Sequence, residues 1–135
     1  MKIILTLMLV IGLAGCAKPY GPAEIILNQQ LVTPNVSEPQ TKITVTRLKQ
    51  FTGGINGGVC KFIINIDGDD VALLRQNQFI TAYIKNGTHK LQVSNDCGTL
   101  SMGMRKTLDI IADGTTQEYV TETGMWGQYR MWRTK

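Results

Sequence analysis

Side chains able to do chemistry are scarce in this chain: one histidine, His89, and three cysteines, Cys16, Cys60 and Cys97. Most zinc and haem schemes fail on that ligand count alone. His89 is the one side chain whose ordinary pKa lies near neutrality. As a base for a serine it would need a nucleophile held on a fixed turn, and no Gly-x-Ser-x-Gly is present. Cys–His chemistry would require Cys60 or Cys97 to stay reduced. A surface or half-buried strand histidine is the plainer reading. Asp67-Gly68-Asp69-Asp70 clusters carboxylates in a way that suits a hard cation. Gly stands second there, however, and no distant Glu completes a calcium loop, so a solvated hairpin tip fits better. The residues predict no metal site, no cofactor and no catalytic centre.

The carboxyl end holds the most unusual surface. Met125-Trp126, Tyr129, Met131 and Trp132 alternate with Arg130, Arg133 and Lys135. Aromatic and Arg side chains carry much of the energy at interfaces, and basic–aromatic mixtures also suit phosphate or glycan contacts. The candidate partner surface is Trp126, Tyr129, Arg130, Trp132, Arg133 and Lys135. A last strand with one face in the core and a charged face outside explains the same alternation.

These residues sit in a chain of 135, enough for one domain. Apolar residues are 43% and charged residues 18%, a globular balance. The formal charge of +4 lacks the dense basic stripe of nucleic-acid proteins, so no nucleic-acid partner is expected.

Residues 1–15 read as an export signal. Lys2 supplies a positive start, and Ile3 to Leu13 carries no charge. The run falls well short of the roughly 20 residues a membrane-spanning helix needs, and a short apolar core behind a basic start is the secretory pattern. Leu13-Ala14-Gly15-Cys16 resembles the lipobox of bacterial lipoproteins: Leu, two small residues, then Cys. The resemblance implies that the Cys16 thiol takes a diacylglycerol, that cleavage precedes it, and that its new amino group is acylated. Two or three acyl chains anchor permanently where one is marginal. Position 17 is Ala rather than the Asp that marks inner-membrane retention in enterobacterial relatives. The implied location is the outer membrane, facing the periplasm, with the membrane contacted through the lipid on Cys16. Since Lys2 is the only charge before Cys16, cleavage lowers the excess to +3.

Export would bring Cys60 and Cys97 into an oxidising compartment. A structural disulfide between them is the favoured reading. Two unpaired thiols remain open, and a redox pair lacks the Cys-x-x-Cys spacing.

Residues 16–41 contain all four prolines (Pro19, Pro22, Pro34, Pro39) and read as a non-sheet tether behind the lipidated Cys. Ala23 to Leu27 and Leu31-Val32 form an apolar patch expected to dock as a short helix or edge strand. Within residues 42–135, Lys42 to Arg47, Cys60 to Ile66 and His89 to Val93 alternate apolar and polar side chains with a period of two. Phe79 to Ile84 is continuous β-type sequence, and Phe51 to Gly58, with four glycines, reads as a loop. Asp67-Gly68 and Asn86-Gly87 carry hairpin-turn chemistry, and Asp113-Gly114 marks a further turn. The expected fold is all-β: a small antiparallel β-sandwich of seven or eight strands, with an open barrel as the alternative. Cys60 to Ser94 is similar to small bacterial β-sandwich modules, including PEGA-type domains and lipoprotein families of unknown function. That resemblance implies a binding or structural module and names no ligand.

The sequence therefore predicts a non-enzymatic envelope lipoprotein with an envelope protein or peptidoglycan as partner. It leaves the oligomeric state open. An envelope-polymer hydrolase is the alternative, and so is a lipoprotein joined to peptidoglycan through Lys135. The hydrolase would need two acidic groups, or an acid and His89, converging on one pocket.

Overall fold

The computed structural model of the chain describes residues 20–49, 60–97, 104–124 and 127–135. In chain order the elements are β1 (Gly21–Pro22), β2 (Ile25–Ile26), α1 (Gln29–Val32), β3 (Gln40–Arg47), β4 (Phe62–Ile66) and β5 (Asp69–Leu74). They continue as β6 (Gln78–Lys85), β7 (Gly87–Asn95), β8 (Lys106–Ala112), β9 (Gln117–Thr123) and β10 (Tyr129–Arg133). The strands form two five-stranded sheets, ordered β1-β6-β3-β9-β10 and β2-β5-β4-β7-β8. The fold is all-β and sandwich-like, with ten strands rather than seven or eight.

The two additional strands come from the segment read as a tether. Gly21 and Pro22 pair in parallel with Gln78 and Phe79, while Ile25 and Ile26 pair with Leu73 and Ala72 of the other sheet. Pro22 is tolerated because β1 is an edge of only two residues. Next comes the single turn of α1, capped by Asn28, whose side-chain oxygen accepts from the Gln30 and Leu31 amides. Ala23, Ile26, Leu31 and Val32 all pack against the core. From Gly21 onward this segment is built into both sheets, and β3 begins at Gln40.

Period-two alternation accounts for the inner faces. Ile43 and Val45 of β3, Phe62, Ile64 and Ile66 of β4, and Leu91 and Val93 of β7 point inward and are buried. Each such side chain stabilises by roughly 1.5–3 kcal/mol through removal from water. β5 breaks the rhythm, because Val71 and Ala72 are consecutive and both buried. A bulge explains it: Ala72 pairs with Ile64 and Asp70 with Asn65, leaving Val71 as the extra residue. The Val71 carbonyl accepts instead from the Leu27 and Asn28 amides.

Only one of the three turn dipeptides closes a hairpin. Asp67 (φ 53°) and Gly68 (φ 94°) both take positive φ, as a tight turn between β4 and β5 requires. Asn86-Gly87 does not, because β6 and β7 belong to different sheets and the chain crosses the sandwich there. Asp113-Gly114 likewise carries the chain between sheets, from β8 to β9. The sheets are therefore not purely antiparallel, since β3 runs parallel to β9. The open barrel is also set aside, because the strands fall into two separate sheets.

Thr41 ties the two crossings together. Its buried hydroxyl donates to Asn86 Oδ1 (2.8 Å) and accepts from the Gly114 amide (2.7 Å). Thr41→Val keeps the shape and removes both bonds, so unfolding free energy should fall by about 1–3 kcal/mol. Urea titration checks this. Thr44→Val, which removes one half-buried Thr44–Thr81 contact on the outer face, should change it by less than about 1 kcal/mol.

Candidate functional site

Among the described residues, the β4–β7 ladder positions the disulfide at one of its ends and the acid–histidine pair at the other. Its pairing runs from Phe62↔Asn95 to Ile66↔Leu91. The same register extends beyond both ends, through Asp96 N–H to Lys61 C=O (3.0 Å) and Asp67 N–H to Lys90 C=O (2.9 Å).

At one end Cys60 and Cys97 stand opposite each other in this register. Their sulfurs are at bonding distance and their Cα atoms 5.4 Å apart, so the bridge staples neighbouring strands of one sheet. Lys61 and Asp96, the adjacent pair, form an ion pair of 3.6 Å. Just beneath lies Arg47, the last residue of β3 and 1% exposed. Its Nη1 donates to the Cys60 and Leu74 carbonyls, both at 2.8 Å, which joins one sheet to the other. The guanidinium rests 3.8 Å from the centre of the Phe62 ring, and Tyr129 meets that ring edge-on at 5.0 Å. Burial brings the Arg47 guanidinium down to about 10, with the nearby Tyr129 acting in the opposite sense.

At the other end the acid–histidine pair sought in the sequence does form. His89 Nδ1 lies 2.5 Å from Asp67 Oδ2, and Nε2 lies 2.6 Å from the Lys85 carbonyl. A carbonyl accepts only, so Nε2 donates to it. Asp67 Oδ1 accepts from the Lys90 amide at 2.8 Å. The constellation ties the β4–β5 turn to the β6–β7 crossing. It also separates two open grooves. One, of about 730 Å³, is lined by Gln29, Gln30, Tyr83 and Asp69; the other, of about 570 Å³, by Gln92, Arg105 and Thr107. Both ring nitrogens are engaged, so His89 presents no vacant nitrogen to a substrate in either groove. That geometry makes a clasp rather than a proton relay.

Asp67 also predicts an acid response. Burial alone would raise its carboxyl. The His89 hydrogen bond and the Lys90 amide, with the charges of both residues, outweigh burial and hold it below 3.8. A depressed carboxylate contributes stability that is present above its unfolded pKa and lost as pH falls through the folded one. The urea midpoint should therefore drop below about pH 4, and Asp67→Asn should flatten that drop.

The acidic run does not gather. Asp70 accepts from Asn65 Nδ2 (2.8 Å) while Asp67 faces His89. Among the described residues no three His, Cys, Asp or Glu side chains could hold a metal together.

The candidate partner surface divides. Tyr129 is 7% exposed and belongs to the core beside Phe62, since β10 turns Tyr129 and Met131 inward. Arg130, Trp132 and Arg133 are exposed. Arg130 pairs with Glu122 (3.1 Å) and lies 5.5 Å from the Trp132 ring. Lys135 is exposed, and its main chain exchanges hydrogen bonds with Glu118. Trp126 and Cys16 lie outside the described residues. Sequence reasoning passed over Arg47, whose signal was an arginine on the inward register of Thr41, Ile43 and Val45.

Comparison with protein-family models, with curated proteins and with solved structures finds no match to this chain.

Proposed function

We propose that the chain is a lipid-anchored lipoprotein of the outer membrane, facing the periplasm, whose β-sandwich is a non-enzymatic binding or structural module. The observation that carries this reading is the sequence Leu13-Ala14-Gly15-Cys16 behind the apolar run from Ile3. Its resemblance to the lipobox places the acyl chains on Cys16. A disulfide at Cys60–Cys97 suits an oxidising compartment. Growth with labelled palmitate should label the protein, and Cys16→Ser should abolish the label. Density-gradient fractionation should recover it with outer membranes, and Ala17→Asp should move it to the inner membrane. Absence of palmitate from the wild-type chain would end the proposal.

The second reading, an envelope-polymer hydrolase, would have to use the acid–histidine pair. It predicts turnover of purified peptidoglycan that disappears in His89→Gln. The clasp reading predicts no turnover in either protein. Attachment through Lys135 predicts protein in sacculi after boiling detergent, lost when Lys135 is deleted.

A further inference from the structure

The strand directions place the two ends of the sandwich in different electrostatic surroundings. Gly21 pairs with Gln78, the residue that follows the β5–β6 connection, and the Gly21 amide donates to Asn77. The chain therefore enters at the end that holds Arg47, Cys60 and Cys97. Cys16 lies four residues before Tyr20, the first described residue, so the intervening chain reaches at most about 14 Å. Once acylated, Cys16 can hold only this end against a bilayer.

That end is cationic. Among the described residues, Lys49, Lys61, Arg75, Lys106 and Arg130 stand at its surface against Glu24, Asp96 and Glu122. Lys61, Arg75 and Arg130 are the cations paired with those three acids. Lys106, at the start of β8, is exposed and forms no ion pair among the described residues. Arg105 lines the groove beside His89 and is not part of this surface. The opposite end carries Glu38, Asp67, Asp69, Asp70, Asp109, Asp113 and Glu118 against Lys42, Lys85, Lys90, Arg133, Lys135 and the groove-lining Arg105.

We infer that the disulfide end is a docking surface for anionic phospholipid headgroups. It lies flat against the leaflet that holds the anchor and turns the His89–Asp67 grooves away from the membrane. Charge complementarity selects the surface, and the short reach from Cys16 selects the end. Juxtamembrane cations each contribute a few-fold to binding an anionic surface within a Debye length. The inference rests on acylation of Cys16 for its geometry, while the charged surface stands on its own.

The test reconstitutes the full mature chain into vesicles of phosphatidylcholine alone or with phosphatidylglycerol, after intact mass has established its acylation. Lysine acetylation is then read residue by residue. On phosphatidylglycerol vesicles Lys49, Lys61 and Lys106 should react several-fold more slowly than in detergent, and high salt should restore them. Lys42, Lys85, Lys90 and Lys135 should react as they do in detergent. Equal labelling at both ends, or slower labelling at the His89 end, overturns the inference. If the intact mass shows no acyl group, the proposed function fails. Co-sedimentation of that same non-acylated chain then decides the surface: binding to phosphatidylglycerol vesicles sustains it and none overturns it. In either form, the double variant Lys49→Gln, Lys106→Gln should weaken electrostatic retention about 25-fold, at roughly fivefold per cation. An unchanged double variant also overturns the inference.

Discussion

Replacing Arg47 with Met should lower the unfolding free energy by about 2–4 kcal/mol, and replacing it with Ala should lower it further. Two opposing effects set the size. Burying the charge is costly, and the fall of its pKa to about 10 is the sign of that cost. Against it stand two hydrogen bonds of 2.8 Å to buried carbonyls and a ring contact of 3.8 Å with Phe62. Removing the guanidinium leaves the Cys60 and Leu74 carbonyls without these donors, at roughly 1–3 kcal/mol each. It also ends a desolvated cation–π contact worth about 2 kcal/mol. The carbonyls stay buried whatever replaces Arg47, so the loss outweighs the relief of desolvation. Lys is the informative control, because it keeps the charge but offers no planar fork to span two carbonyls. Arg47→Lys should recover less than half of the loss. A Lys variant as stable as the parent in urea would show that the charge, and not its geometry, holds the sheets together.

Loss of the disulfide should have the other large effect. Cys60 and Cys97 are 37 apart in sequence, and opening a loop of that size costs roughly 3–4 kcal/mol on the chain-entropy view. The bridge lies at the end of the β4–β7 ladder, so its loss should also fray the first pairs, near Lys61 and Asp96. Cys60→Ala with Cys97→Ala should reproduce the effect of reductant in urea titrations. Amide exchange should accelerate first at Asp96, whose N–H donates to Lys61, while Leu91 and Lys90 at the His89 end stay protected. Uniform acceleration along the ladder would contradict a local staple. Combining the double Cys variant with Arg47→Met should cost more or less than the sum, since Arg47 bonds the carbonyl of Cys60 itself.

Much of this architecture was legible in the residue order. Alternation at β3, β4 and β7 is a local property, written by which side chains prefer water, and it named the inner faces of those strands. Asp67-Gly68 was equally local: two adjacent residues able to take positive φ suffice for the turn. The two cysteines are also explicit. The expected leader and the lipobox-like Leu13-Ala14-Gly15-Cys16 need no fold to be read, because they rest on residue types and spacing alone.

Asn86-Gly87 shows where locality ends. Only Gly87 takes positive φ there (133°), and Asn86 is held by Thr41 from a strand far away in sequence. Whether a chain reverses within a sheet or crosses to the other depends on which edge is open, and distant strands decide that. Tertiary structure likewise decided that Arg47 turns inward, that Tyr129 belongs to the core and that His89 meets Asp67. A burial pattern names a face but not its neighbours. The sequence alone determined the strands from β3 onward, the two cysteines of the staple and the expected membrane address, but not the strands inside the expected tether. Only the packing of two sheets determined which end meets the entering chain, because that depends on strand direction and pairing across the whole molecule.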